Sequence, residues 1–339
     1  MKRLAIAFAS IVLLGSGAAA APPAAPATAK RPQRIAMIAK SSANFVFIAA
    51  RKGAEDAAAE LSRKHGVKVE VAWLTPPRED PAAQVEAIAQ AVREGATAVL
   101  VSCSDADKLV PAIDAAVARG VPVMTFDSDA PASKRFSFYG SDDGDLGEKV
   151  MTELSEQIGG KGKVAILAGN PDAANLRSRV EGVKRAAGRL KGIEIVDLVH
   201  HVETPQAAAA EVLRVNAAHP DLAGWAMVGG WPLFRSSQTP ALVADLRQRK
   251  LKVVAIDALP DELSYVDNEI VPVLWAQPIY LWGKVGVETI FDKLVLGKTV
   301  PERIRMEPVR VSKRTLGSWA RQLRDWGFTG LPQEYLDLP

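Results

Sequence analysis

The feature that most restricts the fold is an alternation: short apolar runs take turns with amphipathic helical stretches, in two successive blocks. In the first block Arg34–Ala39 (RIAMIA) reads as a buried strand, and Phe47–His65 as a helix stopped by Gly66. Lys68–Thr75 alternates as a strand does. Asp80-Pro81 predicts a helix start, because Asp caps free amides and Pro suits the first helical position; this helix runs to Glu94, before Gly95. Ala98–Ser102 is a strand, Asp105–Arg119 a helix ended by Gly120, and Pro122–Asp127 a fourth strand. The second block repeats the order, with strands at Lys163–Ala168, Ile193–Val199, Trp225–Val228 and Val253–Asp257. Its helices are Ala174–Leu190, Pro205–Ala218 and about Pro240 to Lys250. Such alternation predicts α/β architecture with two doubly wound parallel sheets and right-handed crossovers.

The segment ahead of the first strand reads as an address. Lys2 and Arg3 form a positive start, Leu4 to Leu14 is apolar, and Gly15 to Ala21 is a run of small residues. The apolar part is too short to span a bilayer, which takes about 20 residues. Residues 1–21 are therefore expected to be a cleavable signal peptide, cut near Ala20 or Ala21, followed by a Pro/Ala-rich tether over 22–33. No cysteine lies nearby to carry a lipid, so a soluble periplasmic protein is expected.

Composition narrows the function. The chain of 339 residues has 42 Lys and Arg against 39 Asp and Glu, and two of the cations sit in the signal segment. Near-neutrality leaves no electrostatic footprint for nucleic acid and no polybasic cluster for a membrane surface. The single cysteine, Cys103, excludes an intrachain disulfide framework and any multi-cysteine metal site, and it ends an apolar run, as a packed cysteine does. With only four histidines, a histidine-built metal site is not expected either.

Open α/β sheets bind ligands beyond the carboxyl ends of their strands. Polar residues stand there: Lys40 to Asn44 after the first strand, Ser104-Asp105 after the third and Asp127-Ser128-Asp129 after the fourth. Asn170 and Asp257 do the same in the second block. Any one of them suits a cap or turn; together they outline a cleft between two lobes.

Several local patterns extend this reading. Phe45-Val46-Phe47 precedes Gly53-Ala54, and Gly120-Val121-Pro122-Val123 leads to Phe126-Asp127. Gly140-Ser141-Asp142 with Leu146-Gly147 follows, then Arg177-Ser178-Arg179-Val180-Glu181-Gly182. Ala255-Ile256-Asp257, Ala276-Gln277-Pro278 and Gly297-Lys298 with Val300-Pro301 complete the series. In this order they resemble type I periplasmic solute-binding proteins of the ribose- and galactose-binding kind, over about residues 34–312. The resemblance implies two lobes joined by a three-crossing hinge: 34–141 with 277–306, and 142–276 with 307–312. It implies capture of a sugar or sugar-like polyol by hinge closure and delivery to the permease of an ABC importer. The alternative it leaves is a sensory protein whose closed form engages a chemoreceptor or sensor kinase. It also implies a monomer without metal or cofactor.

The ligand set implied is Asn44, Asp127, Arg177, Asp257 and Gln277 as polar partners, Arg177 being the first Arg of the R-x-R helix. Phe45, Phe47, Trp231 and Trp275 are candidates to cover the C–H faces of a sugar. Carboxylates, amides and guanidinium suit hydroxyls, which both donate and accept. Trp231 stands in Gly229-Gly230-Trp231-Pro232, where the family has an Asn-Asp pair, and is expected in a loop exposed to the cleft. Core packing is the alternative for Trp275; Trp225 and Trp282 read as structural. Ser128 replaces an Arg of the ribose type. Residues 313–339 form an extension whose Trp319, Leu323 and Trp326 share a helical face that packs on a lobe or meets a partner. No nucleophile elbow, phosphate loop or H-E-x-x-H motif is present, so no enzyme is expected.

Overall fold

The computed structural model describes residues 31–339; the signal segment lies outside the described residues. The first sheet is built from β1 (Gln33–Ile38), β2 (Val69–Trp73), β3 (Ala98–Val101), β4 (Val123–Phe126) and β5 (Ser137–Gly140). The second holds β6 (Gly162–Ala168), β7 (Ile193–His200), β8 (Leu222–Met227), β9 (Lys252–Ile256) and β10 (Val273–Ala276). Two late strands, β11 (Arg303–Arg305) and β12 (Val309–Ser312), complete one sheet each. The strand orders are β11-β5-β4-β3-β1-β2 and β12-β10-β9-β8-β6-β7. Each is a doubly wound sheet, and the chain crosses between them after β5, after β10 and between β11 and β12.

Helices cover the sheets: α1 (Phe45–His65), α2 (Pro81–Arg93), α3 (Ala106–Ala118), α4 (Asp143–Gln157), α5 (Ala174–Arg189), α6 (Pro205–Ala218), α7 (Pro240–Arg249), α8 (Leu263–Asp267) and α9 (Tyr280–Leu294). Local chemistry sets their ends as the sequence leads one to expect. Asn44 caps α1 through the Val46 amide, and Gly66 closes it with φ 63°. Asp80 caps α2 by accepting from the amides of Ala82 and Ala83, with Pro81 at the first turn. The extension forms α10 (Leu316–Asp325) and α11 (Gln333–Asp337). None of the described helices is long and apolar enough to cross a membrane.

The pattern assigned no strand after Asp257, where β10, β11 and β12 lie, and two further departures stand out. Periodicity gave no element between Asp127 and Lys163, yet β5 and α4 lie there. β5 has only four residues, too few to show a period. The second sheet is also not wholly parallel: β12 runs antiparallel to β10, with Val309 opposite Ala276. The cause is geometric. β11 is parallel to β5 and leaves the first sheet at the carboxyl end of its strands. It then enters the second sheet from that sheet's carboxyl end, so β12 must run backwards.

The sheets are sealed by near-continuous apolar strands, β3 and β4 being buried throughout. Trp225 and Trp282 are enclosed, and the Trp225 indole donates to Asn216 at 2.9 Å, which removes the cost of burying its N–H. Cys103 is buried as well, and burial pushes its thiol up, away from the reactive thiolate. In the second lobe α4 and α5 cross at a distance only glycine permits. A Cβ on Gly147 would lie 2.0 Å from the Arg179 carbonyl oxygen, and one on Gly182 would lie 2.1 Å from that of Gly144. This crossing fixes the height of Arg179 above the sheet.

Candidate ligand-binding cleft

The carboxyl ends of the two sheets face each other, and each ends a strand on an aspartate in the left-handed region. Asp127 follows β4 with φ 57°, and Asp257 follows β9 with φ 82°. Asp tolerates this conformation better than most residues. The Asp127 amide donates to the Tyr139 carbonyl at 3.0 Å, and the Asp257 amide to that of Trp275, also at 3.0 Å. Both lobes thus use one device: the neighbouring strand holds the backbone turned so that the carboxylate points away from the sheet.

A charged network lies between these carboxylates. Asp127 accepts from Ser102 Oγ at 2.7 Å and from Asn175 Nδ2 of the opposite lobe at 2.9 Å. Arg179 Nε donates to Asp143 at 2.8 Å, Nη1 to the Val228 carbonyl at 3.1 Å and Nη2 to Gln277 at 2.8 Å. The same Nη2 lies 4.0 Å from Asp127. Gln277 Nε2 in turn donates to Asp257 at 3.0 Å. All four, Asp127, Arg179, Asp257 and Gln277, are buried. Buried charges are stable only when paired and hydrogen-bonded, and here each charge offsets another.

The electrostatics follow from that arrangement. Burial acts to lower the Arg179 guanidinium, but Asp143, Asp127 and Asp257 outweigh it and hold the charge firmly. Burial raises Asp257, with Arg179 and Gln277 opposing. Burial likewise carries Asp143 from its ordinary 3.8 up to about 6, against the pull of Arg179. A raised folded-state value means that the native form binds this proton more tightly than the unfolded chain. The stability Asp143 contributes is therefore complete below 3.8 and is lost as the pH rises through about 6. Melting from pH 7 down to pH 4 is expected to show an upward component across this window that Asp143→Asn lacks; identical profiles for the two proteins contradict it.

A cleft of about 840 Å³ opens beside this set, with Lys40, Asn44 and Glu79 on one wall and Asn170, His201 and Glu203 on the other. Glu203 is its hub. One oxygen accepts from Trp231 Nε1 at 3.2 Å and from Asn44 Nδ2 at 3.4 Å. The other accepts from the Asn170 amide at 3.3 Å. The Lys40 ammonium lies 3.6 Å from Glu79 and 3.7 Å from Glu203, beyond a good hydrogen bond. Burial acts to lower Lys40, but Glu203 and Glu79 raise it overall, so it stays charged.

Of the expected residues, Asn44 and Phe47 line the cleft, while Asp127, Asp257 and Gln277 meet in the buried network around Arg179 and are not among the cleft's lining residues. Phe47 is buried against Phe126 and Trp282, ring centroids 6.3 and 5.9 Å away, and its edge forms part of the cleft wall. Arg177 is not in the cleft. It is exposed, donating to the carbonyls of Pro171 and Asp172, and Arg179 holds the inner position instead. Helical spacing explains the exchange: Arg179 neighbours the buried Leu176, Val180 and Val183, whereas Arg177 lines up with Glu181 and Lys184. Phe45 points to a separate groove, its ring under the Arg235 guanidinium at 4.3 Å. Trp231 is not an exposed loop residue. It opens a short 3-10 helix, is 3% exposed, and wedges its ring against Gly169 and Gly229, where no side chain opposes it. Trp275 sits in β10, half-buried against the core, its indole N–H enclosed without a partner. Lys40 stood among the polar residues after the first strand; nothing local marked Glu203.

A family model described as a periplasmic binding protein domain matches residues 35–299. The chain is 26% identical over 265 residues to the ribose import binding protein RbsB of Bacillus subtilis, covering 77% of this chain and 81% of that protein. It is 24% identical over 322 residues to the RbsB protein of Haemophilus influenzae, covering 91% of this chain and 98% of that protein. Among solved structures, an ABC transporter solute-binding protein of Burkholderia graminis in complex with D-arabinose superimposes with a TM-score of 0.77 at 24% identity, over 84% of this chain and 97% of the other. Two parallel-sheet lobes with three crossings, and a match over most of the chain, make this protein a member of the periplasmic binding protein domain family.

Proposed function

We propose that the protein captures a small sugar or polyol between its lobes by hinge closure and delivers it, in the periplasm, to the permease of an ABC importer. The observation that carries this is the buried network around Arg179: Arg179, Gln277 and Asp257 are hydrogen-bonded in line, Asp127 lies 4.0 Å from the guanidinium, and Asn175 of the second lobe donates to Asp127 of the first at 2.9 Å. Its acceptors, donors and amide suit hydroxyls, which each donate and accept, and charged partners make such bonds about twice as strong as neutral ones. A ligand that binds only when both lobes contribute shifts the population towards the closed form. The relatives named above are binding proteins rather than enzymes, and ribose and arabinose in their descriptions support a carbohydrate ligand.

The test is thermal melting of the purified protein with pentoses, hexoses and polyols. A sugar at one hundred times its Kd raises stability by about 2.7 kcal/mol. The shift is expected for a selective few and absent in Asp127→Ala. No shift with any member of the panel contradicts the carbohydrate reading and leaves the fold as it is.

A further inference from the structure

We propose that the C-terminal extension is a strap that ties the two lobes together and sets the balance between open and closed forms. The extension lies beyond the matched family region, which ends at residue 299. It leaves the second sheet at β12 and stays on that lobe through α10, whose Leu316, Trp319, Ala320 and Leu323 are buried. Trp319 Nε1 donates to the Ala258 carbonyl at 2.8 Å, one residue beyond the ligand-set Asp257. Arg321 bonds the carbonyls of Leu336 and Leu338, so the closing helix α11 holds the segment in shape.

After α10 the chain turns to the other lobe. The Trp326 ring stacks on Tyr280 with centroids 5.5 Å apart and planes 8° from parallel, while standing edge-on to Trp319 at 5.6 Å. Tyr280 belongs to the first lobe: it opens α9, and its hydroxyl donates to Asp56 of α1 at 3.0 Å. Gly327 comes so close to Lys52 of α1 that an added Cβ would lie 2.6 Å from its Cε. Anchored on one lobe next to Asp257, the segment thus grips the other three residues past Gln277. A groove of about 420 Å³ shows the same bridging, with Phe45 and Ile48 of the first lobe facing Phe234 and Leu259 of the second across Trp326 and Phe328. Rotation about the crossings slides Trp326 off Tyr280, so the stack opposes opening.

The inference rests on lobe closure as described above. The test uses the full chain with spin labels at Lys68→Cys and Lys184→Cys, exposed positions on opposite lobes, since the native Cys103 is buried. Distances are measured without ligand and with the sugar panel. In ligand-free protein Trp326→Ala is expected to lengthen the distribution and raise the open-to-closed ratio about two- to tenfold, as loss of an aromatic pair does. Apparent sugar affinity falls by a matching factor when the open form is the main population without ligand, and by less when the closed form is. Tyr280→Leu, made on the other lobe with apolar bulk kept, gives the same shift, and the double variant adds little. Variant distributions that superimpose on the wild type, while the wild type still responds to a sugar, overturn the strap alone. A wild-type distribution that no sugar alters overturns lobe closure and the strap with it.

Discussion

Arg179→Ala is expected to lower folding stability by about 3–5 kcal/mol and to abolish sugar binding, while Arg177→Ala, two residues away, changes stability by less than about 0.5 kcal/mol. The asymmetry follows from what each side chain leaves behind. Removing Arg179 strips Asp143 of its 2.8 Å partner, takes the donor from Gln277 and leaves Asp127 and Asp257 facing one another uncompensated. Removing Arg177 frees two exposed carbonyls to water. Urea unfolding of the two variants, with calorimetric titration of the sugar that binds, gives both answers. Equal losses in the two variants contradict the placement of the guanidinium.

The second large effect is expected of Gly147→Val. Its side chain would enter the space of the Arg179 carbonyl, 2.0 Å from the first added carbon, and that neighbour is backbone and cannot rotate away. Overpacking commonly costs about 1–3 kcal/mol; a backbone clash at a helix crossing is expected at or above the upper end. Binding should weaken too, because α5 must lift and carry Arg179 with it. Gly188→Ala in the same helix is the contrast: nothing lies within 4 Å of its added carbon, so it gains helix propensity of up to about 1 kcal/mol. Melting of the two variants separates space from propensity, and a Gly147→Val protein as stable as the wild type contradicts the tight crossing.

What the sequence makes legible here is local. Helix starts at Asp80 and Asp105 and stops at Gly66 and Gly120 rest on chemistry within a few residues, and they stand in the structure where the pattern puts them. Strand ends likewise announce Asp127 and Asp257. The rest of the site depends on distance along the chain. Glu203 meets Asn44 from 159 residues away, and Arg179 meets Gln277 from 98. No periodicity carries that information. The choice between Arg177 and Arg179 was nonetheless available, since only Arg179 adjoins the apolar face of α5. Trp231 shows the opposite limit: neighbouring glycines suggest a loose loop, yet they provide the space into which the indole packs.

The borrowed strand β11 has a consequence for how this chain can be made. Ser137 of β5 bonds the Pro301 carbonyl, 164 residues later. A polypeptide emerging from its amino end therefore exposes the edge of β5 until almost all of the remainder has followed. Long-range pairings of this sort close slowly, and an unpaired edge invites other strands in the meantime. The lobes are thus not successive folding units; vectorial synthesis delivers an unfinished first lobe whose closing strand β11 arrives only after most of the second lobe.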